Sequence, residues 1–286
     1  MKLLKLLVAV GLAAMVSCTE KQEGPDVPTG DVTIPELPAD PQPDNTSFAH
    51  KIMLVQHTGT YCPNCPKLME SLKALSEKQS YVDKYQHVAA HSYNADGDPA
   101  YSQVAANLSQ AFCSGYYPEL TFNLTKRNTG TSLEVNTITD IIDELHKDFA
   151  DVGIAAAAGL TGNTLGVNVQ IKAAKAEQYR VAVWVLEDGI RGKQEGAKED
   201  WMNTHSNAVR VMAGATLNMR IYGEKIGELQ AGQTAEKSFT VALDETMKAE
   251  NCKVMILVNA PSSDGRYDLA NCALCPIGGT VTYDYN

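Results

Sequence analysis

The chain has 286 residues, 44% of them hydrophobic and 20% charged, with 34 acidic against 24 basic side chains and a formal net charge of −10 at pH 7. Nucleic-acid binding needs a basic face, so an acidic balance of this size argues against a nucleic-acid partner. It acts mainly as a solubility feature and assigns no partner.

In chain order, Lys2 and Lys5 precede an apolar stretch over 6–16 that is too short to span a bilayer as a folded helix. Residues 1–17 therefore read as a secretory signal peptide. The stretch closes with Met15-Val16-Ser17-Cys18, which resembles the bacterial lipobox with Met15 where leucine is usual. Cleavage there makes Cys18 the lipidated N-terminus; an ordinary signal followed by an incidental cysteine is the plainer alternative. Loss of the two lysines takes the formal charge from −10 to −12. Residues 18–45 are polar, acidic and interrupted by Pro25, Pro28, Pro35, Pro38, Pro41 and Pro43. They are expected to form a disordered tether reaching at most roughly 80 Å at about 3.1 Å per residue.

The remaining residues, about 240, suit two modest domains, 46–150 and 151–286. In the first, an apolar run over 52–55 leads through Thr58-Gly59-Thr60-Tyr61 to Cys62-Pro63-Asn64-Cys65-Pro66-Lys67. Leu68, Leu72 and Leu75 then repeat at helical spacing. Cysteines at a helix start suit thiol chemistry, because the N-terminal amides favour the attacking thiolate. Pro66 fits a first helical turn, where its missing N–H costs nothing. A short strand over 88–90 and a polar turn over 94–99 follow; Asp96-Gly97-Asp98 is too short to argue for calcium. Val104, Leu108 and Ala111 mark a second helix stopped by Gly115. Tyr116-Tyr117-Pro118 then opens a strand over 119–124, and Ile138, Ile141, Ile142, Leu145 and Phe149 mark a last helix.

Past Asp151 period-two alternation dominates. Leu165, Val167, Val169 and Ile171 form one half-buried strand, and 181–186 a more continuously apolar one with Trp184. Leu217, Met219 and Ile221 give a third, Phe239, Val241 and Leu243 a fourth, and Cys252, Val254, Ile256 and Val258 a fifth. Segments 267–275 and 281–285 close the sheet. Turns at 161–163, 231–232 and 263–265 complete the pattern of an antiparallel, immunoglobulin-like sandwich. A long polar passage over 188–209 carries Arg191, Gln194, Trp201, His205 and Asn207, and long ordered loops often supply binding contacts.

Cys62-Pro63-Asn64-Cys65 at a strand-to-helix turn, with Gly115-Tyr116-Tyr117-Pro118 opening a later strand, resembles thioredoxin-type domains. The resemblance implies a cis Tyr117–Pro118 bond beside the cysteine pair, although X-Pro bonds are cis only in a small minority of cases. The sequence departs from that family where Tyr61 replaces the usual Trp and Pro-Asn replaces Gly-Pro, a change in the residues that tune redox potential. Val183-Trp184-Val185-Leu186-Glu187-Asp188-Gly189 and His205-Ser206-Asn207-Ala208-Val209-Arg210 are similar to the carboxy-terminal half of lipoproteins related to the 28-kilodalton outer-membrane protein. That family combines a lipobox, a thioredoxin-like domain and a β-sandwich. The expected fold is thus an α/β thioredoxin-like domain followed by an all-β immunoglobulin-like sandwich.

The resemblance implies an outer-membrane lipoprotein anchored through Cys18, facing either the periplasm or the outside. One functional expectation is a thiol-disulfide oxidoreductase acting on thiols of exported proteins or peptides. Cys62 would attack, Cys65 would resolve and Pro118 would shape the substrate groove. The alternative is a non-catalytic surface binding protein or adhesin using the sandwich and its long loop, with Cys62–Cys65 a permanent structural disulfide. Four thiolates from Cys62, Cys65, Cys272 and Cys275 could hold zinc, but an exported setting and the separation of the pairs weigh against it. No metal site and no cofactor is expected. A hairpin turning near Asp264 would place Cys252 opposite or close to Cys275, making a structural bridge plausible, whereas Cys272 and Cys275 have opposite strand parity and face apart. Cys113 is either a buried small apolar side chain or a third thiol near the Pro118 loop. His57 could adjust the charge around the thiolate or serve strand-end packing.

Overall fold

Strand β1 (Ile52–Thr58) is buried at all seven positions because both of its faces are covered. The computed structural model describes residues 32–94, 96–128 and 134–286. The expected signal peptide, Cys18 and the start of the expected tether lie outside these residues. Around β1 run α1 (Cys65–Ser76), β2 (Tyr85–His91), α2 (Gln103–Phe112), β3 (Glu119–Phe122), β4 (Lys126–Asn128) and α3 (Val135–Leu145). β1 pairs in parallel with β2 and antiparallel with β3. Ile52 and Leu54 pack against Leu68 and Leu75 of α1 and Ile138 and Ile142 of α3. Met53 and Val55, of opposite parity, pack toward Leu108 and Phe112 of α2. Ser102 caps α2, its hydroxyl accepting from the Ala105 N–H at 3.1 Å. α3 ends at Leu145, and Phe149 is exposed rather than on its buried stripe.

The second half contributes β5 (Val152–Thr161), β6 (Thr164–Ala173), β7 (Glu177–Glu187), β8 (Ile190–Arg191), β9 (Thr204–His205) and β10 (Ala208–Met212). α4 (Leu217–Tyr222), β11 (Glu224–Leu229), β12 (Thr234–Ala242), β13 (Cys252–Pro261), β14 (Tyr267–Pro276) and β15 (Gly279–Val281) follow. The molecule is mostly β-sheet with few helices, and its second half forms a β-sandwich. One layer is the sheet β12-β6-β5-β15; the other belongs to a nine-stranded sheet ordered β14-β13-β7-β10-β2-β1-β3-β4, with β11 also on β7. Val167, Val169, Val183, Val185, Val254 and Ile256 fill the space between the layers. The change of pattern at Asp151 is not a break in the sheet. β2 and β10 meet in parallel at Ala89 and Ala208, and the Ala89 N–H donates to the Asn207 carbonyl at 2.8 Å. Because α2 and α4 cover the other face of the large sheet, Trp184 is fully buried as well, its indole N–H donating to the Arg220 carbonyl at 2.6 Å.

Three further expectations are corrected. Leu217, Met219 and Ile221 lie in helix α4, not in a strand. The Thr216 hydroxyl caps its start by accepting the Met219 N–H, and Gly223 ends it at φ 86°, so Leu217 is exposed while Ile221 is buried. Cys252 and Cys275 are not bridged. The hairpin forms, but its register sets Cys275 opposite Val254 and Lys253 opposite Pro276, leaving Cys252 two positions out of line. Residues 32–45, within the expected tether, are laid along the second sheet. Gly159 admits them, since a Cβ there would stand 2.0 Å from the Thr33 carbonyl oxygen. Lys172, 2% exposed, donates its ammonium to Asp40 Oδ2 at 2.9 Å and to the carbonyls of Gln42 and Pro43. The Tyr285 hydroxyl donates to Asp40 Oδ1 at 2.7 Å.

Candidate functional site

β1 delivers the chain to the Cys-x-x-Cys loop and α1 carries it away. Cys62 and Cys65 are joined by a disulfide with a Cα–Cα separation of 5.4 Å. Cys65 is the first residue of α1, followed by Pro66, and the Cys62 carbonyl accepts the Cys65 N–H at 3.2 Å. The Tyr117–Pro118 bond is cis, as expected from the motif. Pro118 is buried and immediately precedes β3, whose first residue, Glu119, registers with His57 of β1. Strand pairing therefore brings the proline segment to the end of the sheet from which the cysteine loop departs.

The cysteine loop is held from two sides. Asp98 accepts the Thr60 N–H and His91 Nδ1–H on Oδ2, both at 2.9 Å, and the Ala100 N–H on Oδ1. Burial pushes the Asp98 carboxyl up, but the His91 contact and these amides outweigh it and hold it below the ordinary value. Asp98 is thus spent on positioning the loop, and among the described residues no group of three or more His, Cys, Asp or Glu is arranged to hold a metal.

On the other side lies the polar passage over 188–209. β8 and β9 pair at its base, Ile190 with His205 and Arg191 with Thr204. Its tip rests on the disulfide. Gln194 Nε2 donates to the Cys62 carbonyl at 2.9 Å, the Glu195 N–H donates to the Thr60 carbonyl at 2.7 Å, and Gln194 Oε1 is buried with no partner among the described residues. Gly196, at φ +73°, comes so close that a Cβ would stand 2.6 Å from the Pro63 carbonyl oxygen. Cys62 is consequently 2% exposed and Cys65 fully buried. Composition marks this passage as a long polar loop between strands but gives no signal that it folds back over Cys62, 132 positions earlier. Beside it, Thr60, Tyr61, Gly97, Pro99, Gly192, Lys193 and Glu195 line a depression of about 460 Å³ that does not include Pro118.

The remaining candidates divide clearly. His57 is fully buried, its two ring nitrogens bonded to Ser109 Oγ at 2.8 Å and Thr121 Oγ1 at 2.9 Å. Burial lowers its pKa to about 4, Glu119 opposing and Arg127 adding, so it is a neutral packing residue and supplies no charge to the thiols. Cys113 is a free, half-buried thiol that donates to Glu119 Oε2 at 3.3 Å. Burial first, and then the carboxylate beside it, push its pKa up to about 11, and a thiol held protonated is a poor nucleophile. Cys272 and Cys275 face apart as their parity requires, one into the α2 side of the large sheet and the other between the sandwich layers. Neither joins Cys62 and Cys65, which removes the four-thiolate arrangement.

The model of the outer membrane protein Omp28 family matches residues 106–271, more than half of the chain. The chain belongs to the Omp28 family of outer membrane proteins. It is also similar in structure to HBP35 of Porphyromonas gingivalis, with a TM-score of 0.64 at 17% identity over 82% of this chain and 77% of that one. A protein of Agrobacterium tumefaciens known from its crystal structure gives a TM-score of 0.52 at 14% identity, over 79% of this chain and 94% of its own. At these identities the likeness is one of fold.

Proposed function

We propose that this member of the Omp28 family is an exported lipoprotein, anchored through Cys18, whose residues 46–150 form a thioredoxin-like domain with a working thiol-disulfide centre. The second half is read as an immunoglobulin-like sandwich. The observation that carries the redox reading is the Cys62–Cys65 disulfide seated at the start of α1, at the same end of the sheet as cis Pro118. In the reduced pair, the Cys62 thiolate attacks one sulfur of a substrate disulfide, forming a mixed disulfide and releasing a substrate thiolate. Cys65, deprotonated, then attacks Cys62 Sγ, closing the pair and releasing the second substrate thiolate. Two electrons pass to the substrate; run in reverse, the same exchange oxidises a substrate dithiol. The 192–196 segment must lift for either direction, because Cys62 is covered.

Trapping tests this reading. Cys65→Ser leaves a mixed disulfide on Cys62 unresolved, so it should accumulate covalent adducts with exported proteins that reduction releases. Full insulin-reducing activity in Cys62→Ser would sink the reading. The anchor is tested separately by palmitate labelling, which Cys18→Ser should abolish.

The closed cover favours a second reading, in which the disulfide is structural and the 188–209 loop makes contacts with a partner. Deleting that loop without changing partner binding would remove its support.

A further inference from the structure

The cysteine loop presents the carbonyls of Gly59, Thr60 and Cys62 to the tip of the 188–209 passage. Among the described residues, the tip's donors to this loop all go to those oxygens: Gln194 Nε2 to Cys62 at 2.9 Å and to Gly59 at 3.4 Å, and the Glu195 N–H to Thr60 at 2.7 Å. None goes to a sulfur. The tip nevertheless shuts water away from the pair, Cys62 being 2% exposed and Cys65 fully buried.

Such a cover treats the two redox forms unequally. A disulfide is neutral and a weak acceptor, so it loses little when covered. Reduction by a dithiol takes two electrons, breaks the S–S bond and leaves two thiols, while the reductant closes its own disulfide. A thiolate formed from that pair needs donors or water, and burial without them disfavours it. The amides at the start of α1 stay in place whether the cover is open or closed; only the solvent is lost when it closes. The closure is also shallow. Gln194 Oε1 and Thr60 Oγ1 are buried at this contact with no partner among the described residues, which is costly. The outer clasp, Lys198 Nζ to Glu70 Oε1 at 3.2 Å, joins two exposed side chains and contributes little.

We infer that the 192–196 cover is a thermodynamic control on the cysteine pair, closing more tightly over the disulfide than over the reduced form and so lowering the reduction potential. This control rests on the proposed thiol exchange, since only a pair that cycles between both forms uses it. Gln194 and Gly196 act as positioning residues, through the cover and not on the sulfurs. A cover that closed equally well over both forms would change the rates of reduction and reoxidation together and leave their equilibrium unmoved.

Equilibration of the full chain at pH 8 with dithiothreitol buffers of set oxidised-to-reduced ratio, read by alkylation and mass, tests it. Gln194→Ala removes one hydrogen bond of closure, so the equilibrium constant for reduction should rise about fivefold. That corresponds to a potential less negative by about 20 mV. Gly196→Ala opens the cover by another route, since its Cβ would stand 2.6 Å from the Pro63 carbonyl oxygen, and should shift the potential in the same direction. The parent's own potential tests the exchange reading separately: a value well below about −300 mV would remove that reading and leave the comparison among the three chains legible. Equal equilibrium constants in the parent and both variants, even with faster reduction, or a shift to more negative potential, would overturn the control by the cover.

Discussion

Gln194 donates its side-chain amide to the carbonyl of Cys62 at 2.9 Å, across 132 residues of sequence. The same carbonyl accepts the Cys65 N–H, so one oxygen ties the loop to the start of α1. Gln194→Ala removes the tie. It should lower stability by about 1 kcal/mol, the net worth of a hydrogen bond, and raise the rate at which dithiothreitol reduces Cys62–Cys65 several-fold. Quenching with an alkylating agent and counting labelled cysteines by mass gives that rate; no change would mean that this loop does not control access.

His57 sets a pH dependence. Its pKa is lowered from 6.5 to about 4 by burial, so between those values the unfolded chain binds more protons than the folded one. Stability from this residue is therefore full above pH 6.5 and is lost as the pH falls toward 4. The loss between pH 7 and 4.5 should be on the order of 2 to 3 kcal/mol. Burial lowers His50, His87 and His205 in the same direction, adding to the slope. Urea unfolding at the two pH values should show a smaller difference for His57→Gln than for the parent chain, and equal differences would contradict the assignment.

Lys172 fastens residues 32–45. Lys172→Met leaves Asp40 and two backbone carbonyls without their cation, and should destabilise the protein by about 2 to 3 kcal/mol. Limited proteolysis should then cut within 32–45 in the variant before any cut in the parent. Identical cleavage patterns would show that the segment is held by other contacts.

The free thiols allow a direct check of the corrected pairing. Burial pushes Cys252 and Cys272 up to about 12 and Cys275 up to about 11. In the native chain all three should resist iodoacetamide, with Cys113 reacting slowly. Peptide mapping under non-reducing conditions should find the Cys62–Cys65 bridge and no Cys252–Cys275 bridge.

Local chemistry made part of this architecture legible in sequence. The Cys-x-x-Cys turn and the long alternating strands follow from spacing and side-chain parity, each acting over a few residues, whereas the cis Tyr117–Pro118 bond is implied only by the resemblance to thioredoxin-type domains. Non-local pairing escaped it. The Ala89–Ala208 junction needs only two small side chains in register, and neither half announces it. Leu217, Met219 and Ile221 alternate like a strand, yet Thr216 and Gly223, which frame a helix six residues long, outweigh that pattern. Prolines in 32–45 suggested a tether because the buried ammonium that holds it, Lys172, lies some 130 residues downstream. Gln194 carried no local signal at all, since its role comes from a loop folding back on Cys62.

The most direct test of the central claim is the equilibrium between the Cys62–Cys65 pair and buffers of defined redox potential, read by alkylation and mass. A working thiol-disulfide couple should be half-reduced at a potential above about −300 mV, in the range of known exchange proteins. A pair that stays oxidised well below about −300 mV would be a structural disulfide and would contradict the account.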